Sequence, residues 1–372
     1  MRAKAFFVSL IIFLTAIESW ASFAIWQVAP DSPRIIVPRR EGESARAAVA
    51  RYLKSVLEND ELSKLRPDGV ELLPAGRFSE FDELPKNSKT LVALIANRFE
   101  DLLPDGYRVR MNQRSFTLAG GDVYVIALAA DSGLSQSEAE EFRSKIARSV
   151  DLLVAMGGAD IAPELYGEPR THAVNVNLTR DRSEYALIRR FKEEGKGVFF
   201  GICRGHQMGA IIDGHKLYQD LSKDGIGDTN EHLKVEGRNI LESQRWHHIH
   251  ISDSLLYRFL RDEVKIVNSI HHQAVRVVPE AASFPVAEYN GVIEALQMKN
   301  GLGLSVQFHP EIAEYTESGE FARDGYRILR GIVSYARLKR MKPNPNRCSA
   351  IFHVGFTAPT GTIRAATAVS GQ

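Results

Sequence analysis

The stretch GVFFGICRGHQ, residues 197–207, decides how the rest of this chain is read. Val198, Phe199, Phe200 and Ile202 give a run with no polar alternation, the pattern of a strand buried on both faces. RGHQMGAIID follows as a helical stretch ended by Gly214, and between strand and helix stand Cys203 and Gly205. In one reading Cys203 fills a small core pocket while Gly205 eases the chain into the helix, as buried structural cysteines do. In the other, a tight strand-to-helix turn pushes the thiol outward and leaves backbone N–H groups beside it, the arrangement of a nucleophile elbow. The neighbouring sequence has to choose between them.

Outward from this stretch, β-rich runs alternate with helical patterns: TLVALIAN from Thr90, DVYVIALA from Asp122 and DLLVAMGG from Asp151. Ala139, Phe142, Ile146 and Val150 share one helical face, and Ser135 with Glu138 forms a capping box. Asp181 and Glu184 repeat that start signal, Ile188 and Phe191 continue an apolar stripe, and Gly195 can end the helix. Strands apolar on both faces and linked by helices predict an α/β domain whose mainly parallel sheet is covered on both sides. KIVNSIHH from Lys265, VIEALQM from Val292 and GLSVQFH from Gly303 lie close enough together for antiparallel neighbours, before a helix from about Phe321 to Leu338.

The 372 residues, 44% hydrophobic and 25% charged, can bury a full core. A formal net charge of +1 gives no electrostatic case for nucleic acid. Arg2 and Lys4 precede an apolar run from Ala5 to Ile17, followed by Ser19-Trp20-Ala21 and Ser22-Phe23-Ala24, a signal-peptide pattern over residues 1–24. The run falls short of the ~20 residues a spanning helix needs, so cleavage after Ala21 or Ala24 predicts an exported protein, periplasmic or secreted, with no stable membrane insertion. Residues 25–89 read as an extension carrying the strand PRIIVP and an amphipathic helix with Val49, Tyr52, Leu53, Val56 and Leu57 on one face, docked on the sheet or at a homodimer contact. The main domain spans 90–338. KPNPNR from Lys342 is a breaker-rich linker within a 339–372 tail. A bridge between Cys203 and Cys348 is open to an exported chain, but it would remove the thiol a nucleophile needs.

A cysteine hydrolase needs a nucleophile, a base, a group that orients the base and donors for the oxyanion. QFHPE, residues 307–311, offers His309 as base; as the end of a strand it would put Glu311, two residues on, on the same face to orient the ring. AMGGAD ends a strand in Gly157 and Gly158, so the Gly158 and Arg204 N–H groups could converge on one oxygen. Read alone, QFHPE fits a surface ion pair and AMGGAD a plain turn.

In this order and spacing, GICRGHQ, LLVAMGGADIAPELYGE, LYQDL, NSIHHQAV and VQFHPE resemble the class I glutamine amidotransferase-like superfamily. More narrowly they resemble the γ-glutamyl-γ-aminobutyrate hydrolase branch of the C26 peptidases. The resemblance implies a flavodoxin-like, doubly wound sheet, a Cys203, His309, Glu311 triad and a substrate with a γ-glutamyl amide bond. It also implies that Gln207 contacts the glutamyl part and that His271, His272 and Gln273 border the site. Alternatives on the same fold are a glutaminase subunit feeding ammonia to a synthase, or an idle scaffold. His247, His248 and His250 in WHHIH raise the question of metal, and His248 matches a position the family shares. No cysteine or carboxylate stands at a useful ligand spacing, so neither metal nor other cofactor is expected. Ala159 and Ala162 in GGADIAP, and His215 and Lys216 in GHKLYQDL, depart from the family pattern and are expected to alter the pocket rim.

Overall fold

The computed structural model describes residues 23–27, 32–59, 77–81, 84, 88–96, 107–127, 133–234, 236, 241–315 and 319–341. The chain divides into two units, Met1–Arg340 and Met341–Gln372. Cys348 and all of the second unit except Met341 lie outside the described residues, as does the leader pattern before Phe23.

Fourteen strands and eight α-helices make up the described fold. The strands of the parallel core are β2 (Ile35–Pro38), β4 (Thr90–Ala96), β5 (Gly121–Ala127), β6 (Leu152–Ala155), β7 (Val198–Ile202) and β14 (Gly303–Val306). Antiparallel wings are built by β1 (Phe23–Gln27) and β3 (Arg77–Phe81) at one edge. At the other edge stand β9 (Arg245–Ile251), β10 (Val264–Ser269), β12 (Ser283–Tyr289) and β13 (Val292–Met298). Together they form one sheet in the order β10-β9-β12-β13-β14-β7-β6-β4-β5-β2-β1-β3, while β8 (Lys216–Tyr218) and β11 (Ala274–Arg276) pair apart from it. The run β5-β4-β6-β7-β14 reproduces the 2-1-3-4-5 order of flavodoxin-like sheets, so the expected doubly wound α/β fold is present.

The helices are α1 (Ala45–Asn59), α2 (Tyr107–Leu118), α3 (Gln136–Ser149), α4 (Leu178–Glu194), α5 (Arg204–Ile212), α6 (Thr229–His232), α7 (Leu255–Leu260) and α8 (Gly319–Arg340). Side chains alternate across each core strand, so one strand feeds two cores. Val92, Leu94, Val123, Val154, Phe200 and Ile202 pack with Val49 and Tyr52 of α1, Phe116 of α2 and Ile332 of α8. Leu91, Ala93, Ile95, Leu153 and Phe199 pack on the opposite face with Phe142 of α3, Leu187 of α4 and Met208 of α5. At roughly 1.5–3 kcal/mol per fully buried large apolar side chain, these two layers are the main force holding the sheet between its helices. No helix among the described residues is long and apolar enough to cross a membrane.

The described residues of the 25–89 stretch dock on the sheet, as expected, through Val49 and Tyr52 of α1, and they also extend it. Ile35 and Ile36 of β2 pair in parallel with Val125 and Ile126 of β5, and β1 and β3 continue outward. Those residues satisfy the backbone groups that β5 would otherwise expose at an edge. The α3 capping box on Ser135 and the left-handed cap at Gly195 are as the sequence predicts. The start of α4 is not: Asn177 caps it, its side chain accepting from the Arg180 N–H, and Asp181 and Glu184 lie inside the helix, fully buried.

Candidate active site

β7 ends at Ile202 and α5 begins at Arg204, leaving Cys203 as the single joint between them. Its φ of 51° lies in the left-handed region that non-glycine residues seldom occupy, which is the strain of an elbow. The Cys203 N–H donates to Val306 O at 2.8 Å, tying the elbow to β14. A Cβ on Gly205 would stand 2.5 Å from the carbonyl carbon of Ala155, so only glycine lets α5 start this close to β6. The N–H groups at the head of α5, Arg204 first, have no carbonyl within their own helix to donate to. Cys203 carries a free thiol.

β14 delivers the partner residues. His309 is buried, and its Nδ1 stands 2.7 Å from Glu311 Oε1. The pairing does not come from strand alternation, because β14 ends at Val306 and Pro310 opens a 3-10 turn to Tyr315 that brings Glu311 back beneath the ring. Asn268 of β10 fixes the His309 backbone from both sides, accepting from its N–H at 2.9 Å and donating to its carbonyl at 3.3 Å. Burial by itself would lower the His309 pKa, but the Glu311 carboxylate and the charge and hydrogen bond of Cys203 prevail and raise it to about 10. The imidazole is therefore held as a cation between a carboxylate and a sulfur.

Gly157 forms the floor of this corner: a Cβ there would sit 2.8 Å from His309 Cε1 and 3.7 Å from Cys203 Cβ. Gly158 follows it at the C-terminal end of β6, partly exposed beside the elbow's strand. The expected nucleophile, base, orienting acid and both candidate oxyanion donors thus lie on three adjacent strand ends.

The side chain of Arg204 has a separate role that the sequence did not reveal. It is buried and binds Asp181 Oδ1 at 2.7 Å and Glu184 of α4, clamping the heads of two helices together. Asp181 Oδ2 also accepts from the Ala162 N–H at 2.8 Å, which anchors the loop after Gly158. The pair Asp181 and Glu184 resembles a helix start in sequence because the same residue types serve caps and buried ion pairs.

The candidate substrate contacts fare unevenly. Gln207 is buried in α5, and its amide nitrogen donates inward to Gln273 O at 3.3 Å and Gln307 Oε1 at 3.1 Å. Gln273 is buried too, donating to Gln219 O at 3.3 Å. His271 is turned away into the antiparallel wing, with Nδ1 2.9 Å from Gln273 O. His272 alone remains partly open, with Nε2 3.0 Å from Asp160 Oδ1 and Nδ1 3.4 Å from Asp220 Oδ2. Burial works against its charged form, yet Asp160 and then Asp220 raise its pKa above the usual histidine value. Asp160 was not singled out in the sequence, although it sits two residues beyond Gly158. Of the departures expected at the rim, Ala162 is buried and His215 is buried against Ser283 Oγ at 3.2 Å and the Val278 N–H at 3.0 Å. Lys216 pairs with Glu168 at 3.2 Å.

Residues 122–311 match the family Peptidase C26. The chain belongs to the peptidase C26 family. This peptidase C26 chain is similar to the glutamine amidotransferase-like protein YvdE of Lactococcus lactis subsp. lactis, 34% identical over 169 residues, covering 45% of this chain and 69% of that protein. It is similar to NtpR of Enterococcus hirae, 33% identical over 173 residues, covering 45% of this chain and 70% of that one. Among solved structures it is similar to a glutamine amidotransferase from Thermotoga maritima, at 17% identity and a TM-score of 0.40, covering 68% of this chain and 98% of that one. Family membership agrees with the resemblance read from the motifs, and the coarse chemistry it brings is that of a hydrolase acting on C–N bonds.

Proposed function

We propose that the chain is a cysteine-dependent hydrolase of γ-glutamyl amide bonds. The observation that carries this reading is the strained Cys203 elbow beside a His309 ring held 2.7 Å from Glu311, in a peptidase C26 chain. The Cys203 sulfur attacks the γ-carbonyl carbon and a C–S bond forms. The Gly158 and Arg204 N–H groups hold the resulting oxyanion. His309 then gives its proton to the leaving amine as the C–N bond breaks, leaving a γ-glutamyl thioester. Water attacks that thioester, His309 takes the water's proton, and glutamate departs with the thiol restored. Glu311 keeps the imidazole in the tautomer and orientation these transfers need.

The test is a screen of γ-glutamyl amides, peptides and free glutamine with the unaltered protein and Cys203→Ala. Turnover that survives in folded Cys203→Ala refutes the nucleophile. The relatives described as glutamine amidotransferase-like favour free glutamine as a second candidate substrate, with ammonia as the leaving group. Ammonia release from glutamine exceeding hydrolysis of every substituted γ-glutamyl amide would select that reading.

Export belongs to the same proposal, supported by the leader pattern before β1. A cut after Ala24 would remove Phe23 and Ala24, both fully buried in β1, whereas a cut after Ala21 leaves the strand whole. Mature protein beginning at Ser22 is expected, and mature protein beginning at Met1 would refute export by this route.

A further inference from the structure

A second cluster of chemically active side chains lies in the antiparallel wing and takes no part in the chemistry above. His232 at the end of α6, His247 of β9, His271 after β10 and Glu294 of β13 are all buried. The donor atoms of His232, His271 and Glu294 lie within 4.8 Å of one another. His232 Nδ1 is 3.2 Å from His271 Nε2, which is 3.4 Å from Glu294 Oε1, and His232 Nδ1 is 3.8 Å from that oxygen. His247 Nε2 approaches it to 3.3 Å. Metal–ligand bonds of about 2.0–2.1 Å in a tetrahedron put neighbouring ligand atoms roughly 3.3–3.4 Å apart, so the spacing is that of a coordination sphere.

Two further observations ask for a cation. Among the described residues, both oxygens of Glu294 and both ring nitrogens of His247 are buried without a hydrogen-bond partner. A carboxylate so placed is costly unless something positive meets it. His271 cannot meet it as a neutral donor: its Nδ1 faces the Gln273 carbonyl, which only accepts, so Nδ1 carries the proton and Nε2 presents a lone pair toward Glu294. That carbonyl contact is the outer support usual for a metal-ligating histidine.

We propose that His232 Nδ1, His271 Nε2 and Glu294 Oε1 bind a divalent transition metal of the zinc class. Imidazole and carboxylate together suit such an ion and disfavour calcium or magnesium, which take oxygen ligands. The ion joins α6 and β13 to the loop at 270–273, whose Ile270 carbonyl lies 4.0 Å from Cys203 Sγ. It thereby fixes one wall of the candidate active site without touching the sulfur. The site stands whether or not Cys203 is the nucleophile.

The experiment uses the full chain, purified without a histidine tag or chelator, equilibrated with Zn2+, desalted and analysed by elemental mass spectrometry. About one zinc per chain is expected for the unaltered protein and for Cys203→Ala. Glu294→Gln, close in shape to the original, and His271→Asn should bind at least ~100-fold more weakly, beyond the 10–100-fold typical of losing an outer-shell partner. Chelator-stripped protein refilled with Co2+ should show the visible absorption of a tetrahedral ion, absent from Glu294→Gln. Folding of each variant is checked by circular dichroism, and that of Glu294→Gln and His271→Asn also by alkylation of Cys203. Should the unaltered protein retain no metal after desalting, or should Glu294→Gln retain as much as it does, a proton and not a metal occupies the cluster and the proposal fails.

Discussion

Replacing Gly205 with alanine adds one methyl group where β6 and α5 are closest, and the size of the effect follows from the contact it creates. The new Cβ would stand 2.5 Å from the carbonyl carbon of Ala155 and 2.8 Å from its Cβ, where ordinary contact begins at 3.4 Å. The Ala155 carbonyl oxygen lies nearer still, so strand and helix must part by more than about 0.9 Å, and no flexible side chain is available to yield. Overpacking of this kind costs about 1–3 kcal/mol. Helix propensity acts in the opposite direction, since alanine is favoured over glycine by up to ~1 kcal/mol. The sign of the measured change therefore decides whether the contact is real. Because Cys203 is two residues away, displacement of the α5 head also moves the sulfur relative to His309, and a misplacement near 1 Å can cost ~100-fold in rate. Gly319→Ala is the internal control: it begins α8 and its added Cβ meets nothing within 4 Å among the described residues. Urea unfolding and the rate of Cys203 alkylation by iodoacetamide should both fall below wild type for Gly205→Ala and match or exceed it for Gly319→Ala. A Gly205→Ala protein at least as stable as Gly319→Ala, with an unchanged alkylation rate, would refute the tight elbow.

Glu311→Gln should move the alkaline limb of the kcat profile toward acid by at least about one pH unit, measured with a chromogenic γ-glutamyl anilide. The sign follows because burial lowers the His309 pKa while Glu311 and Cys203 raise it to about 10, so losing the carboxylate lowers the pH at which the proton for the leaving amine is lost; an unmoved limb contradicts it. Arg204→Met leaves Glu184 buried without its main cation and should destabilise by about 3–5 kcal/mol at neutral pH. Burial already raises the Glu184 pKa, so the deficit should shrink as pH falls and the carboxyl takes up a proton; urea midpoints at pH 5 and 7.5 that show an equal deficit would contradict the clamp.

The parallel core was legible because its signals are local. Val198 to Ile202 and Leu152 to Ala155 are buried on both faces, and a strand of that kind announces itself in a few residues. The capping box at Ser135 and the left-handed Gly195 are local for the same reason. Where partners come from distant elements the sequence was silent. Glu294, in VIEALQM, is one of two polar residues in a mainly apolar strand, and only pairing with β12 and β14 carries it toward His271. β12 itself, SFPVAEY, is interrupted by Pro285, where its register with β13 becomes irregular. β1 was obscured because FAIWQ overlaps the small-residue pattern of a cleavage site. His309 and Glu311 are neighbours through a 3-10 turn and not through strand alternation, and two-residue spacing suits both.

The division of the sheet also separates chemistry from selectivity. Everything that would break the bond stands on the parallel core, at the ends of β6, β7 and β14, and is held by contacts that tolerate little change. The groups left to meet an amine stand on the loops between core and wing, where Asp160 and Asp220 grip His272 in a charged, partly open arrangement. His215 and Lys216, by contrast, support the small β8 and β11 pair from behind, His215 through Ser283 and Lys216 through Glu168. A change of leaving amine would therefore be sought at Asp160, His272 and Asp220 before His215 or Lys216. The metal-site proposal fits the same logic, since an ion at Glu294 would stiffen the segment that carries His272 and leave the elbow itself untouched.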